Sequence, residues 1–402
     1  MKTLQFISYP ITEPQHGGQL RCSALKTALS SAGFETASIS IFDAAHYQDF
    51  SGDDMLVPSG LFNYYVADHP WDLMLSAVIA NNPELYPKFV EKVARINADC
   101  YIFEHPWLWP LMRKVLTDQP DLVRPIVYSS HNIEFDLVRS IMCKITPELN
   151  AHDQWLVNYT FELEKELCER ADLVICCTLH DMEFYQANFK VKQACWFSNG
   201  INPPHTISPA TAAKYAERYK GLHIASFVGS AHPPNADGLE DMLGKCWGFL
   251  PPDCRLAIVG GVADLLRQRI DNIVFKSLNA SRSDMLGRVP QEDLDAILAR
   301  SELIVLPITT GGGSNLKTAE ALISGKPILA TRLAFRGYDE FASFPGVYLT
   351  DDPGEFRKKL REILPGAKPL ERTQEQQKQT EKVLWKNILK DYPGRIRQII
   401  RK

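Results

Sequence analysis

Short apolar runs alternate with longer helical patterns along almost the whole chain, and this alternation constrains the fold more than any other feature. Leu4 to Tyr9, Thr36 to Phe42, Cys100 to Phe103, Pro125 to Ser130, Leu173 to Cys177 and Cys195 to Phe197 read as strands. Helical patterns fill the gaps, notably Gln19 to Ala32, stopped by Gly33, and Asp153 to Arg170. A break at Asn202-Pro203-Pro204 opens a polar stretch, and the pattern then restarts. The second set of strands is Ile224 to Val228, Arg255 to Val259, Met285 to Val289, Leu303 to Leu306, Pro327 to Ala330 and Val347 to Leu349. Such alternation implies parallel sheets with helices on both faces. A chain of 402 residues suits two domains of this kind. The expected class is therefore α/β, with two doubly wound Rossmann-like domains over residues 1–203 and 204–372, facing a cleft, and a helical tail over 373–402. Open sheets of this type bind ligands beyond the carboxyl ends of their strands.

At one such end lies a glycine-rich cassette. Thr310-Gly311-Gly312-Gly313-Ser314-Asn315-Leu316-Lys317-Thr318-Ala319-Glu320 follows the strand Leu303 to Leu306, and a helix begins inside it. Consecutive glycines let backbone N–H groups approach a ligand and adopt φ > 0 without a Cβ penalty. The helix start behind them carries partial positive charge, which suits phosphate. Lys317 adds a full charge in the first turn. Glu320 sits three residues on, over nearly the same face, where it can accept hydrogen bonds from ribose hydroxyls. A plain strand–turn–helix connection is the simpler reading of the same residues. The spacing fits neither a Walker loop, whose lysine directly follows glycine, nor a dinucleotide fingerprint, whose glycines are interrupted.

Composition narrows the class. With 45% hydrophobic and 23% charged residues the chain has material for two cores. A net charge of −4 supplies no basic field for nucleic acid. The basic end from Arg395 to Lys402 reads as a solvated helix end. Nine cysteines without a CxxC pair fit buried free thiols in a reducing compartment. No secretion signal and no apolar window of ~20 residues is present, so a cytoplasmic protein is expected, with peripheral contact at the inner membrane face left open.

Taken in order, several segments resemble the retaining glycosyltransferases of family four, which have the two-domain GT-B fold. They are Gly17-Gly18-Gln19-Leu20-Arg21, Ser130-His131-Asn132-Ile133-Glu134, Ala171 to Ile175, Ser198 to Ile201, Phe227-Val228-Gly229-Ser230 with Pro234-Asn235 and Asp237-Gly238, Met285 to Val289, and the cassette from Gly311 to Thr331. The resemblance implies that Glu320 holds the donor ribose and that Ser314, Asn315, Leu316 and Lys317 meet the diphosphate. Gly17 and Gly18 would close on the same phosphates, with His131 near the transferred sugar. Gly287, Arg288 and Val289 would contact the base, and Gly229, Gly312 and Gly313 would border the donor. The same fold returns its C-terminal helices, 373–402, to the first domain. The implied catalytic set is His131, Lys317 and Glu320, with no metal and no cofactor beyond a nucleotide diphosphate-sugar as co-substrate. The implied partners are that donor and a glycan or lipid-linked hydroxyl acceptor.

Two departures stand out. The family often has a glutamate seven residues before the one matching Glu320, and here that position is Gly312. The basic residues that often follow the strand before Gly229 are absent between Ser230 and Asp237. Arg21, Arg288 and Lys317 are the candidates to replace them. Asp293-Leu294-Asp295 spells a metal motif of another transferase fold, but residues two apart on a helix diverge and cannot share an ion. The aromatic stretches Phe62-Asn63-Tyr64-Tyr65 and His105-Pro106-Trp107-Leu108-Trp109-Pro110 read as core and loop packing, with an acceptor platform as the functional alternative. Two rivals remain at this level. One is a nucleotide-sugar epimerase using Glu134 and Glu320; the other is a donor-binding protein without catalysis.

Overall fold

A computed structural model gives the structure of residues 1–43, 47, 50–58, 60–61, 71–145, 148–270 and 274–401. The stretch Phe62 to Tyr65 lies outside the described residues. The chain divides into two compact units. Met1–Ser198 joins Ile388–Lys402 in the first, and Asn199–Asn387 forms the second.

The first unit runs β1 (Lys2–Ile7), α1 (Gly17–Ser31), β2 (Glu35–Asp43), β3 (Met55–Val57), α2 (Trp71–Ala80), α3 (Leu85–Ile96), β4 (Cys100–Phe103), α4 (Trp109–Asp118), β5 (Ile126–Ser129), α5 (Glu134–Ile145), α6 (Ala151–Arg170), β6 (Leu173–Cys176), α7 (Leu179–Asn188) and β7 (Ala194–Trp196). Its strands are all parallel, in the order β3-β2-β1-β4-β5-β6-β7. Both faces are covered, so central strands are buried at consecutive positions, as in Leu4, Gln5, Phe6 and Ile7 of β1. α1 starts where His16 and Gln19 form a reciprocal capping box, and it stops before Gly33, at φ 84°. Strand order reverses between β1 and β4, which makes their carboxyl ends the switch point of the sheet.

The second unit holds α8 (Pro209–Arg218), β8 (His223–Val228), α9 (Pro233–Leu243), β9 (Cys254–Val259), α10 (Val262–Ile270), α11 (Lys276–Ala280), β10 (Ser283–Gly287), α12 (Gln291–Arg300), β11 (Leu303–Leu306), α13 (Leu316–Ile323), β12 (Ile328–Ala330), β13 (Val347–Leu349), α14 (Pro353–Ile363) and α15 (Gln374–Thr380). Its parallel sheet has the order β10-β9-β8-β11-β12-β13, with the reversal between β8 and β11. The chain ends with α16 (Trp385–Ile388) and α17 (Tyr392–Ile400).

The tail does two jobs. In the second unit, Ile201 forms a parallel bridge with Leu384, through Ile201 N–H to the Val383 carbonyl and Trp385 N–H to the Ile201 carbonyl, both 3.0 Å. In the first unit, α17 buries Tyr392, Ile396 and Ile399. Tyr392 meets the Phe197 ring at 5.9 Å, and the Arg397 guanidinium lies 5.0 Å over Phe34 while donating to the Ala32 carbonyl. The unit boundaries differ from the expected ones for these reasons. The first unit stops at Ser198, because Asn199 is tied to Ser314 and Tyr338, and residues 373–387 stay with the second unit through the Ile201 bridge. The break expected near Pro393 comes before it. Pro393 occupies the first turn of α17, where a missing N–H costs nothing.

Candidate functional site

In the second unit the cassette leaves the carboxyl end of β11 beside the switch point. Gly311 has φ 131° and Gly313 φ 57°, conformations that a side chain would strain. Arg336 fixes the loop from behind: Nε donates to the Gly313 carbonyl at 2.8 Å and Nη2 to the Gly311 carbonyl at 2.7 Å. Gly312 lies between these two anchored residues. Asn315 caps α13, its side-chain oxygen accepting from Lys317 N–H at 3.2 Å. Ser314 faces inward instead: its Oγ accepts from Asn199 N–H, and its carbonyl from Asn199 Nδ2, both at 2.7 Å.

Lys317 Nζ reaches across to Asn235 Oδ1 at 3.0 Å, and Asn235 Nδ2 donates to the Ser230 carbonyl at 3.0 Å. The two loops at the switch point, after β8 and after β11, are thereby joined through one amide. Lys317 and Glu320 are both half-buried. Burial lowers the Lys317 pKa, opposed by the Glu320 charge. Burial raises that of Glu320 to about 7, against the pull of Lys317. Among the described residues no hydrogen bond reaches the Glu320 carboxylate, which leaves it open to a ligand's hydroxyls. Of the remaining sequence candidates here, Gly229 is buried after β8, and Arg288 is exposed beside half-buried Val289 just after β10.

In the first unit a polar cluster fills the corresponding switch point. Gln5 on β1 donates to Glu104 Oε1 at 2.6 Å, and Glu104 Oε2 lies 3.1 Å from His131 Nε2. Cys22 Sγ, on α1, is 3.7 Å from the same nitrogen. Tyr9 Oη stands 3.7 Å from Cys22 Sγ and 3.1 Å from His105 Nε2, and His105 Nδ1 meets Glu134 Oε1 at 3.1 Å. The two imidazoles are 4.2 Å apart, centre to centre. Their environments push them in opposite directions. Burial, then the neighbouring His105 charge, lowers His131 to about 3, so its ring is neutral and Nε2–H donates to the Glu104 carboxylate. Burial also works against charge on His105, but the bond and charge of Glu134 outweigh it and raise the pKa. The two neighbouring imidazoles are thus pushed apart, His131 towards the neutral form and His105 towards the charged one.

Sequence candidates of the first unit divide between surface and core. Gly17 is exposed and Gly18 half-buried at the start of α1. Arg21 is fully buried, and its Nη1 donates to the Phe197 carbonyl at 2.9 Å, so it braces the core rather than facing solvent. Trp107, Leu108 and Trp109 are buried in the main core, which removes them as an exposed platform. Asp293 pairs with Lys214 at 2.7 Å and Asp295 with His205 at 3.1 Å, so the two carboxylates have separate partners. Sequence reasoning missed Gln5, Tyr9, Cys22, Glu104 and Arg336. Each comes from a separate element, and none carries a local spacing signal.

Residues 223–365 match the family described as Glycosyl transferases group 1. No curated protein sequence matches the chain. Solved structures similar to it over nearly the full length of both chains include sucrose-phosphate synthase from Thermosynechococcus elongatus, at 16% identity and TM-score 0.73, covering 100% of this chain and 99% of that one. HepE of Anabaena, in complex with UDP-glucose, aligns at 15% identity and TM-score 0.66, covering 99% and 100%. A glycosyltransferase from Rickettsia africae aligns at 14% identity and TM-score 0.64, covering 100% and 99%. The fold is GT-B. At such identities the likeness fixes the architecture alone. Among the described residues no helix is long and apolar enough to cross a membrane.

Proposed function

We propose that the protein is a retaining glycosyltransferase that moves a sugar from a nucleotide diphosphate-sugar to a hydroxyl acceptor on a glycan or lipid-linked glycan, without a metal. The observation that carries the reading is the pair Lys317 and Glu320. They stand half-buried at the start of α13, within the segment that matches the group 1 family, and the carboxylate has no hydrogen-bond partner among the described residues. The helix start and Lys317 receive the diphosphate. Glu320 accepts from the ribose hydroxyls.

Chemistry then consists mainly of stabilising the leaving group. The bond from the anomeric carbon to the diphosphate breaks, and a bond from that carbon to the acceptor oxygen forms on the same face. The acceptor proton passes to a diphosphate oxygen. Negative charge grows on the departing diphosphate, where Lys317 and the backbone donors of the cassette would offset it.

A nucleotide-sugar panel tests the reading. The UDP-glucose complex of HepE makes UDP-sugars the first donors to try. One donor should raise the melting temperature, and product analysis should show its sugar on a new oxygen with the anomeric configuration kept. An isomerised sugar, or a donor that binds and stays intact with every acceptor, would replace transfer by epimerisation or by simple binding.

A further inference from the structure

We propose that Cys22, Glu104 and His131 form a three-ligand site for a zinc-class divalent cation in the first unit. The inference does not depend on the transferase reading. Cys22 Sγ and His131 Nε2 are 3.7 Å apart, Glu104 Oε2 and His131 Nε2 are 3.1 Å apart, and all three ligand atoms lie within 4.8 Å of one another. Zinc bonds of ~2.3 Å to sulfur and ~2.0 Å to nitrogen or oxygen give tetrahedral edges of about 3.6 Å and about 3.3 Å. Two edges of the site are already near those lengths. The third, between the Cys22 sulfur and a Glu104 carboxylate oxygen, is at most 4.8 Å.

Charge and ligand type point the same way. A thiolate and a carboxylate together neutralise a dication, and a neutral assembly is what a dry interior tolerates. All three side chains are buried. A thiolate with an imidazole selects zinc or a similar ion over magnesium and calcium, which take oxygen shells. An outer partner is in place: Gln5 donates to Glu104 Oε1, leaving Oε2 turned towards His131. Tyr9 Oη lies 3.7 Å from Cys22 Sγ and 3.1 Å from His105 Nε2, so the sulfur already has a polar neighbour. On binding, the thiol proton leaves to solvent and the imidazole proton moves from Nε2 to Nδ1, so one proton is released per ion.

Cobalt(II) is a suitable probe for the full-length protein after treatment with chelator. One equivalent should give tetrahedral visible bands and a thiolate-to-cobalt charge-transfer band. Cys22→Ser should abolish the charge-transfer band, and Gln5→Ala should weaken binding by about 10- to 100-fold. A wild-type protein without the thiolate band, or a band that survives Cys22→Ser, would show that the cluster is only a hydrogen-bonded network. X-ray absorption of the zinc-loaded wild type tests the same claim without a variant. One sulfur among nitrogen and oxygen neighbours supports the site, and two or more sulfurs, or none, overturn it.

Discussion

The Tyr9 hydroxyl occupies the space that a β-carbon on Gly18 would need. The glycine at the start of α1 is thus a spatial requirement of the polar cluster beneath it. Gly18→Ala should displace Tyr9 Oη from His105 Nε2, now 3.1 Å away, at an overpacking cost of ~1–3 kcal/mol. The double variant Gly18→Ala with Tyr9→Phe removes the obstructing oxygen. Melting temperature should fall in the single variant and recover in part in the double one, where the Tyr9 Cζ atom, 3.0 Å from the new methyl, still crowds it. Equal melting of wild type and Gly18→Ala would contradict the contact.

Glu320→Ala should weaken donor binding by about 10- to 150-fold, the equivalent of ~1.5–3 kcal/mol for a charged hydrogen-bond acceptor. Isothermal titration of a folded variant gives the answer directly. An unchanged affinity would remove Glu320 from the donor site.

The same carboxylate sets a pH dependence. Burial holds its pKa at about 7, above the ordinary 4.5, so it is protonated in acid and ionised above neutrality. The ionised form is the better hydroxyl acceptor. Donor affinity should therefore rise as pH increases from roughly 6 to 8, and Glu320→Gln should flatten that rise. A slope that persists in Glu320→Gln would assign the titration elsewhere.

Asn235→Ala leaves Lys317 Nζ without its amide partner at 3.0 Å. Donor affinity should drop by roughly 10-fold, and Asn235→Asp should hold the ammonium while adding a charge opposed to phosphate. If Asn235→Ala binds donor like wild type, the lysine is positioned by other means.

Transfer should persist in EDTA, since the proposed leaving-group stabilisation uses a lysine and a helix start. Loss of activity in chelator, restored by magnesium or manganese, would place a metal on the diphosphate.

Legibility in the sequence followed the range of the interactions. The parallel strands were visible because burial on both faces makes them continuous apolar runs, as in Leu303 to Leu306. β3 was missed; three residues, Met55 to Val57, are too few to show a period. The glycine cassette was visible because Gly311 to Glu320 is contiguous, and its geometry follows from one turn and one helix start. Its support was not. Arg336 reaches back over twenty residues to the loop carbonyls, and the partner of Lys317 sits on α9. The first-unit cluster was harder still. His131, His105 and Glu134 stood out singly, while Gln5, Cys22 and Glu104 acquire meaning only when β1, α1 and β4 are side by side.

The interrupted course of the first unit has a consequence for synthesis. Its final segment, Ile388–Lys402, is translated only after Asn199–Asn387. Until then Phe34 and Phe197 lack the Arg397 and Tyr392 contacts that cover them. A growing chain therefore holds an unfinished first unit while the second, continuous in sequence, is being made. Domains generally form as they emerge; here the one translated first is completed last.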